Sequence, residues 1–238
     1  MTTRLTAWGV TGIPEIHPDD QLGDIIAEAC RGEPNGPLQN GDVLVVTQKV
    51  VSKAEGRLVP VDANDPLSHK KLVEDEAVRI VRRRGDLIIT ETSHGFVCAN
   101  SGVDQSSSGA HGRAVLLPVD PDASARAIRQ RMLELGVDAA VIISDTFGRA
   151  WREGQTDIAI GIAGMQPILS YIGEVDPHGH EFRVQALCVA DELTGAAELV
   201  KGNLSRVPVA VVRGYPWERD DDATLAPVLR DQSRDLFR

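Results

Sequence analysis

Cysteines, aromatic side chains and long apolar runs are all scarce in this chain of 238 residues. The three cysteines, Cys30, Cys98 and Cys188, form no CxxC pair, which argues against a disulfide framework and against a thiolate zinc site. No segment reaches the roughly 18 to 20 uninterrupted apolar residues of a membrane helix, and the amino terminus lacks the basic and apolar regions of a secretory signal. We therefore expect a cytoplasmic protein with no membrane segment, whose thiols are buried and inert.

Positive charge is also in short supply. The chain carries 25 basic against 35 acidic side chains, a formal charge of −10, and only 4% of its residues are aromatic. General nucleic-acid binding depends on basic patches and on rings that stack with bases, so this composition argues against it. It does not argue against a small anionic ligand, because a local group of cations, or a metal ion held by a few carboxylates, would be enough.

Common fingerprints of nucleotide and hydrolase sites are missing too. The sequence contains no GxxxxGK phosphate loop, no GxGxxG segment after a strand and no GxSxG nucleophile elbow. The pair His178 and His180 is better explained by a polar turn than by a zinc site, because it has neither HExxH spacing nor a cysteine partner. Any phosphate chemistry must therefore use another scaffold.

Apolar runs and amphipathic segments indicate a mixture of strands and helices. The patterns predict a buried strand at 42–51, an amphipathic helix at 67–84, a hairpin at 86–100, a helix at 121–136 and a second buried strand at 137–145. This order lacks the regular alternation of a doubly wound sheet, so we predict an α+β fold. The length predicts one domain over residues 1–238, or two interleaved lobes.

The segment SDTFGRAWREGQTD at residues 144–157 is the strongest candidate for chemistry. Asp145 and Thr146 follow an apolar strand and could project into a cleft at its carboxyl end, where an aspartate beside a hydroxyl suits a hard divalent cation. Asp104, in NSGVDQSSSG, lies among small polar residues whose amides could approach a phosphate. The two aspartates could converge on one or two metal ions. The alternatives are that Asp145 caps a turn and that Asp104 lies in a solvated turn.

Several basic side chains could complete an anion site. Lys49 and Lys53 fall on the same side of the predicted strand, so one of them could line a cleft, and a solvated strand end is an equal alternative. Arg149 and Arg152 follow Asp145 closely enough to contact carboxylates or phosphates, or they are ordinary surface arginines.

A set of segments is specific when its members are taken together, in order and spacing. They are GIPEI, GDVLVVTQKVVSKAEGR, EDEAVRI, NSGVD, LLPVDPDASA, ISDTFGRAWREGQTD, AIGIAG, VADE and VPVAVVRG. In this combination, which runs along nearly the whole chain, they resemble the coenzyme F420:L-glutamate ligase family. The resemblance implies the family's own mixed α+β fold and a homodimer. It also implies a reaction that uses GTP with Mg²⁺ or Mn²⁺, as two ions, to join L-glutamate through a γ-linked amide to the coenzyme F420 precursor, with K⁺ as a further candidate ion.

The resemblance also assigns roles to individual residues. The metal-binding positions correspond to Asp104, Asp145 and Thr146, and the nucleotide-binding positions to Ile13, Pro14, Glu15, Ile16, Gln48, Lys53 and Ser107. Lys53 and Asp145 are the residues that we expect to act in catalysis. Two positions depart from the family pattern, because Ser107 stands where an asparagine is expected and Gln48 where serine or threonine is common. The change at Ser107 bears on the choice of nucleotide.

By this resemblance, the carboxylate of the precursor attacks the γ-phosphorus of GTP, and the amine of glutamate then displaces phosphate from the acyl phosphate. Metal ions at the two aspartates would neutralise the triphosphate, and Lys53 would add a fixed positive charge. The alternative functions are a metal-dependent phosphohydrolase and a non-catalytic nucleotide-binding module.

Two further expectations concern the extent of the chain and the cofactor. Some relatives carry a flavin reductase domain after the ligase, and we expect only the ligase domain here. A flat deazaflavin needs a platform among few rings, and the candidates are Phe147, Trp151, Tyr171 and Phe182.

Overall fold

The structure is a computed structural model that describes residues 4–65, 67–105 and 112–236. Its strands are β1 (Thr6–Val10), β2 (Val43–Thr47), β3 (Leu58–Pro60), β4 (Ala77–Arg84), β5 (Leu87–Thr92), β6 (Val97–Ala99), β7 (Arg113–Val115), β8 (Ala140–Gly148), β9 (Gln155–Met165), β10 (Ile168–Ser170), β11 (Ala186–Cys188), β12 (Val209–Arg213) and β13 (Arg219–Asp220). Its α-helices are α1 (Leu22–Arg31), α2 (Gln48–Ala54), α3 (Lys70–Asp75), α4 (Pro121–Glu134) and α5 (Val189–Lys201). Short 3₁₀ turns lie at Asn100–Gly102, Ala226–Val228 and Gln232–Arg234.

The central sheet has six strands in the order β1-β12-β2-β8-β9-β13. The pair β2 and β8 is parallel, and each of the other neighbouring pairs is antiparallel. The carboxyl ends of β2 and β8 therefore lie at the same edge of the sheet, where Thr47 is the register partner of Ser144. With helices and smaller sheets around it, and no barrel in the described part of the chain, the architecture confirms the predicted α+β class.

The central sheet is buried on both faces. Every residue of β2 from Val43 to Val46, and of β8 from Ala140 to Ile143, is fully buried, which requires both faces to be shielded from water. Helix α4 packs on β8 and β9, helix α5 packs on β1, β9 and β12, and α1 packs on α4. Each large apolar side chain buried in this way contributes about 1.5 to 3 kcal/mol, so the sheet is a rigid base for the residues at its edges.

Smaller antiparallel sheets flank the central one, with the orders β4-β5-β6, β3-β7 and β10-β11. A second, smaller apolar core joins α3, β5 and β7. Its buried members are Val73, Ile88, Val103, Ala114 and Leu116. Because Val103 belongs to this core, it anchors the loop that carries the neighbouring Asp104.

The predicted strand at 42–51 is wrong in its second half. Strand β2 ends at Thr47, and the chain then forms helix α2, in which Ser52 Oγ donates a hydrogen bond of 2.9 Å to Gln48 Oε1 across one turn. The β-branched run hid this boundary, because Val50 and Val51 are as buried in the helix as they would be in a strand.

The predicted helix at 67–84 is wrong beyond its first part. Helix α3 ends at Asp75, and Ala77–Arg84 form β4, which pairs with β5 through two register shifts. The helical spacing placed Ile80 on a buried face, yet Ile80 is 40% exposed. Pairing with a neighbouring strand therefore outweighs the local pattern here.

Other local predictions are confirmed. Strands β5 and β6 form the predicted hairpin. Helix α4 begins at Pro121, the first residue of the predicted helix, and Asp120 Oδ1 caps it by accepting a hydrogen bond of 2.8 Å from the Ala123 amide. The chain then leads into β8, as the apolar run at 137–145 predicted.

The cysteines follow the expectation of inert thiols. Cys30 and Cys98 are buried and Cys188 is half-buried, and all three are free of disulfides. Burial raises the pKa of each thiol to about 12, so the reactive thiolate is suppressed. As to the membrane, none of the helices in the described ranges has both the length and the apolar character to cross one.

Candidate functional site

Polar side chains gather at the sheet edge where β2 and β8 end side by side. Beyond this point β8 continues with a register shift between Ile143 and Ser144, so that Asp145 and Thr146 still pair with β9. The Asp145 carboxylate accepts a hydrogen bond of 2.9 Å from the Thr146 amide. Asp145 therefore lies within a strand, and the alternative in which it caps a turn is wrong.

Asp104 reaches the same edge from a different part of the chain. Its backbone forms an isolated bridge with Val115 of β7, with hydrogen bonds of 3.0 and 2.7 Å, so it is held in place rather than lying in a free turn. Its carboxylate Oδ2 lies 2.6 Å from Nζ of Lys49 on α2. The first turn of α2 thus directs a cation towards one of the two predicted metal-binding aspartates.

The electrostatics join Asp145 to Asp104. Burial is the largest of the causes that raise the pKa of Asp145 to about 7, and the negative charges of Asp104 and Asp157 add to it. The Thr146 amide and the positive charge of Lys49 act in the opposite direction. The charges of Asp104 and of its partner Lys49 thus both act on Asp145, and the convergence of the two aspartates on metal ions stays a prediction.

The donor set suits a hard divalent cation only when other oxygens complete it. In the described ranges, no group of three or more histidine, cysteine, aspartate or glutamate side chains could hold a metal by itself. Asp104 and Asp145 supply carboxylate oxygens and Thr146 a hydroxyl. Mg²⁺ is commonly bound by one or two carboxylates together with phosphate and water oxygens, so these residues fit that ion when a phosphate is present.

Lys53, in the last turn of α2, forms an ion pair with Glu15. Lys53, on α2, is 7% exposed, and its Nζ lies 2.5 Å from the Glu15 carboxylate. The hydrogen bond from Lys53 and its charge hold the pKa of Glu15 below its usual range, with smaller contributions from His17 and Arg206. Lys49 and Lys53 are four residues apart, so they share a helical face as they would have shared a side of the predicted strand.

The other predicted nucleotide contacts differ in their exposure. Pro14 and Glu15 are exposed, Ile13 is half-buried and Ile16 is buried in the core. Gln48 is fully buried, and its Nε2 has no hydrogen-bond partner among the described residues. Ser107 lies outside the described residues.

A cleft of about 600 Å³ adjoins the loop that carries Pro14. The loop lines one side of it and α1 the other, and its lining residues include Thr11, Gly12, Pro14, Ile25, Ala29 and Glu33. This loop therefore borders both the cleft and, through Glu15, the ammonium of Lys53.

The predicted ring platform is only partly available. Phe147 is buried and packs edge-on against Phe96 with 6.2 Å between ring centroids, so it is a core residue. Trp151 is 79% exposed, and the rings of Tyr171 and Phe182 lie 6.3 Å apart. Phe147 is therefore excluded as a face for a flat ligand, and the other three rings stay candidates.

The arginine pair Arg149 and Arg152 and the histidine pair His178 and His180 lie on the surface. Arg149 is exposed and donates only to the Glu153 carbonyl among the bonds of the described chain, and Arg152 is exposed. The amides of His178 and His180 donate to Asp176 Oδ1 at 2.8 and 2.9 Å, which is the polar turn that the sequence predicted for this pair.

Sequence reasoning missed a buried ion pair behind the site. Nζ of Lys201 lies 2.9 Å from Asp157 Oδ2, and the two side chains are 2% and 3% exposed. Asp157 also accepts a hydrogen bond of 2.7 Å from the Thr146 hydroxyl. Lys201 is the last residue of α5 and Asp157 lies near the start of β9, and no spacing in the sequence joins them.

The residues of this site lie within a region of the sequence that is shared with known proteins. The family model described as F420-0:gamma-glutamyl ligase matches residues 11–214. The chain belongs to this family. The match to the F420-0:gamma-glutamyl ligase family includes every residue that was predicted for the metal and nucleotide positions.

Curated relatives agree with the family match over nearly the full length. The chain is 39% identical to the coenzyme F420:L-glutamate ligase of Methanothermobacter thermautotrophicus over 97% of both chains. It is also 39% identical to the protein of the same name from Methanopyrus kandleri, over 94% of both chains. The enzyme of that name from Archaeoglobus fulgidus is 34% identical over 99% of this chain and 97% of its own.

Proposed function

We propose that this protein is a ligase that adds L-glutamate through γ-linked amide bonds to the coenzyme F420 precursor. The observation that carries the proposal is that Asp104, which is distant in the sequence, acts electrostatically on Asp145 at the edge of the sheet in a chain of this family. The names of the relatives support the substrates, and the carboxylate pair supports phosphate chemistry there.

Asp104, Asp145 and Thr146 would hold Mg²⁺ or Mn²⁺, as two ions, and K⁺ is a further ion to test. The bound divalent ions would neutralise charge on the triphosphate. Lys49, which already lies 2.6 Å from Asp104, would supply a fixed positive charge beside them. This arrangement explains how a chain with a net charge of −10 could bind a triphosphate.

GTP is the proposed co-substrate. The loop Ile13–Ile16, Gln48 and Lys53 would contact it, with Ser107 as the position that bears on nucleotide choice. Lys53 is suited to a phosphate, because its ammonium is held in place by Glu15 and is desolvated by its own burial. Entry of a phosphate would let Lys53 exchange the Glu15 carboxylate for a phosphate oxygen.

The chemistry would proceed in two displacements. A carboxylate oxygen of the precursor attacks the γ-phosphorus, a new P–O bond forms, and the bond to the β–γ bridging oxygen breaks to release GDP. The glutamate amine then attacks the acyl carbon, phosphate leaves, and the nitrogen loses a proton. Catalysis would consist of positioning and charge neutralisation, in agreement with the missing nucleophile motif.

We also propose a single ligase domain that acts as a cytoplasmic homodimer. Exposed apolar side chains between β10 and β11 support association, since Ile172, Val175 and Val184 are 60%, 62% and 89% exposed.

The decisive experiment incubates the purified protein with the precursor, L-glutamate, Mg²⁺ and either GTP or ATP. We expect products heavier by whole glutamyl units, with GTP as the better nucleotide. Release of phosphate with no heavier product would favour the phosphohydrolase. Nucleotide binding without either product would favour the non-catalytic module.

A further inference from the structure

The ion pair between Asp157 and Lys201 has no part in the chemistry proposed above. Both side chains are almost completely buried, with 3% and 2% exposure, and their charged atoms lie 2.9 Å apart. A buried ion pair is seldom more stabilising than apolar residues of similar size, because both charges lose their hydration. Stability alone therefore does not explain this pair, and its hydrogen bonds indicate what else it does.

The hydrogen atoms around Lys201 can be assigned from chemistry alone. Its Nζ lies 2.9 Å from Asp157 Oδ2, 2.9 Å from Ser144 Oγ and 3.2 Å from Thr47 Oγ1. An ammonium has three hydrogens and accepts none, so it donates to these three oxygens, which are closer than a fourth, Glu198 Oε2, at 3.5 Å. Since the Ser144 oxygen accepts from Lys201, its own hydrogen points to Asp157 Oδ2, 3.0 Å away.

Both carboxylate oxygens of Asp157 face donors, because Lys201 and Ser144 donate to Oδ2 and the Thr146 hydroxyl lies 2.7 Å from Oδ1. Burial alone would raise its pKa, but the charge of Lys201 and the hydrogen bonds from Thr146, Lys201 and Ser144 together lower it. Glu198, whose carboxylate lies 3.5 Å from Lys201 Nζ, responds in the opposite way, because burial and the charge of Asp157 raise its pKa. Of these two carboxylates, Asp157 makes the shorter contact with Lys201 Nζ, at 2.9 Å against 3.5 Å for Glu198.

Asp157, paired with the Lys201 ammonium, fixes the orientation of the Thr146 hydroxyl. Its Oδ1 can only accept, so Thr146 donates its single hydrogen across the 2.7 Å contact. The amide of Thr146 is fixed as well, since it donates to Asp145 Oδ1 at 2.9 Å. The lone pairs of the Thr146 hydroxyl therefore face away from Asp157, and only lone pairs bind a cation.

We propose that Asp157 and Lys201 are positioning residues that turn the hydrogen of Thr146 away from the divalent cation of the proposed site. Lys201 pairs with Oδ2 of Asp157, Oδ1 accepts the hydrogen of Thr146, and the Thr146 oxygen is left as a ligand beside Asp145. This inference rests on the cation site of the proposed function. It does not depend on which substrates the enzyme joins.

The variant Asp157→Asn tests the orientation with almost no change in size. Lys201 can only donate, so the amide oxygen of the asparagine is drawn to the Lys201 and Ser144 side. Its NH₂ group then faces Thr146 Oγ1 and must donate to it. The hydrogen bond is reversed, one lone pair of Thr146 is occupied, and its hydrogen is free to turn towards the cation.

The experiment measures binding of Mn²⁺, alone and with GDP, by the loss of the free-ion signal in electron paramagnetic resonance. The proteins are the wild type, Asp157→Asn, Thr146→Val and the double variant. We expect Asp157→Asn to weaken Mn²⁺ binding by about tenfold or more, as loss of an outer partner does at metal sites. The double variant should bind as weakly as Thr146→Val and no more weakly, because both changes act through one hydroxyl.

A control variant separates this role from a purely structural one, and a second background is available if the first variant does not fold. Thr194→Val removes a buried hydroxyl that lies 2.8 Å from the Asp191 carbonyl and 3.2 Å from the Asp157 carbonyl, and it should leave Mn²⁺ affinity unchanged. If Asp157→Asn is too unstable to purify, Asp157→Ala combined with Lys201→Met leaves no buried charge unpaired. The same comparison with Thr146→Val can then be made in that background.

Several outcomes would overturn the inference. These are unchanged Mn²⁺ affinity in Asp157→Asn, the same fold loss in the Thr146→Val background as in the wild type, or no Mn²⁺ binding by the wild type. Failure of the proposed function gives a different result, in which wild-type protein binds Mn²⁺ but adds no glutamate.

Discussion

At the scale of the single residue, ionising the Asp145 carboxylate costs free energy unless a cation lies beside it. Burial is the main reason that its pKa rises to about 7, and Asp104 and Asp157 add negative charge nearby. A proton and a metal ion compete for the same carboxylate oxygens. A carboxylate whose charge is poorly stabilised binds a proton readily, and for the same reason a divalent ion stabilises it strongly. The unfavourable surroundings of Asp145 are thus consistent with a role as a metal ligand.

The first prediction concerns the activity of Asp145→Asn. The amide keeps the size of the side chain but removes the charge, so glutamate addition should fall by at least about a hundredfold while the fold is kept. Product mass and circular dichroism measure the two effects. Asp62→Asn, in an exposed turn, is the matched control and should retain activity. Full activity of Asp145→Asn with metal present would remove Asp145 from the site.

The second prediction concerns the pH dependence of stability without metal. The pKa of Asp145 is about 7 in the folded protein and near its ordinary value of 3.8 when unfolded. Between these values the folded state binds more protons, so stability falls as pH rises, by up to about 1.4 kcal/mol per unit for one group, and the loss ends above pH 7. Urea unfolding in EDTA from pH 5 to 8 should show this slope as the difference between wild type and Asp145→Asn. Parallel curves for the two proteins would contradict it.

The sequence predicted the two aspartates of the site, Asp104 and Asp145, but not the buried ion pair behind them, Asp157 and Lys201. Asp145 follows an apolar strand and Asp104 lies among small polar residues, and both features are local. Asp157 and Lys201 lie 44 positions apart, and each alone looks ordinary, since lysine is common in the last turn of a helix. Their contact depends on how α5 packs against β9, which a single sequence does not specify.

At the scale of elements, the contact between α4 and β9 determines how the helix sits on the sheet. Gly161 lies in β9 directly beneath the first turn of α4, where a Cβ would overlap the backbone of Pro121. Asp122 of the same turn accepts a hydrogen bond of 2.8 Å from the Ile162 amide. The helix is thus held to the strand both by close approach and by a hydrogen bond.

The third prediction is that Gly161→Ala destabilises the protein by about 1 to 3 kcal/mol, because either α4 or β9 must move to admit the methyl group. Gly148→Ala is the matched control, since a Cβ there meets nothing within 4 Å. Denaturant unfolding of both variants measures the difference. Equal stability of the two variants would mean that α4 shifts without cost.

A helix whose first residue is marked by a proline was predictable from the sequence. Boundaries without such a mark, and strands that depend on pairing with another strand, were not. Pro121 begins the predicted helix at 121–136, and the structure begins α4 at the same residue. The boundary between β2 and α2 has no such signal, because Val50 and Val51 look the same in either state. Strand β4 exists because β5 lies beside it, and a helical pattern in its sequence could not reveal that partner.

At the scale of the whole molecule, the net charge of −10 opposes any triphosphate. The family of the chain was recognisable from the order of its segments, although none of them contains a standard nucleotide motif. Lys49 and Lys53 lie on one face of α2, but each is already paired with a carboxylate, with Asp104 and with Glu15 respectively. The local positive charge is therefore partly neutralised before a nucleotide arrives.

The last prediction is that divalent cation and nucleotide bind with positive coupling. The cation offsets the repulsion between phosphates and the carboxylates of Asp104 and Asp145, and the phosphates supply oxygens that those side chains leave open to the cation. GDP should tighten Mn²⁺ binding by about tenfold or more, and Mn²⁺ must tighten GDP binding by the same factor, because the coupling free energy is reciprocal. Titrations of Mn²⁺ with and without GDP, and of GDP with and without Mn²⁺, measure both sides. Asp145→Asn should reduce both factors together, and coupling that survives in that variant would place the shared cation elsewhere.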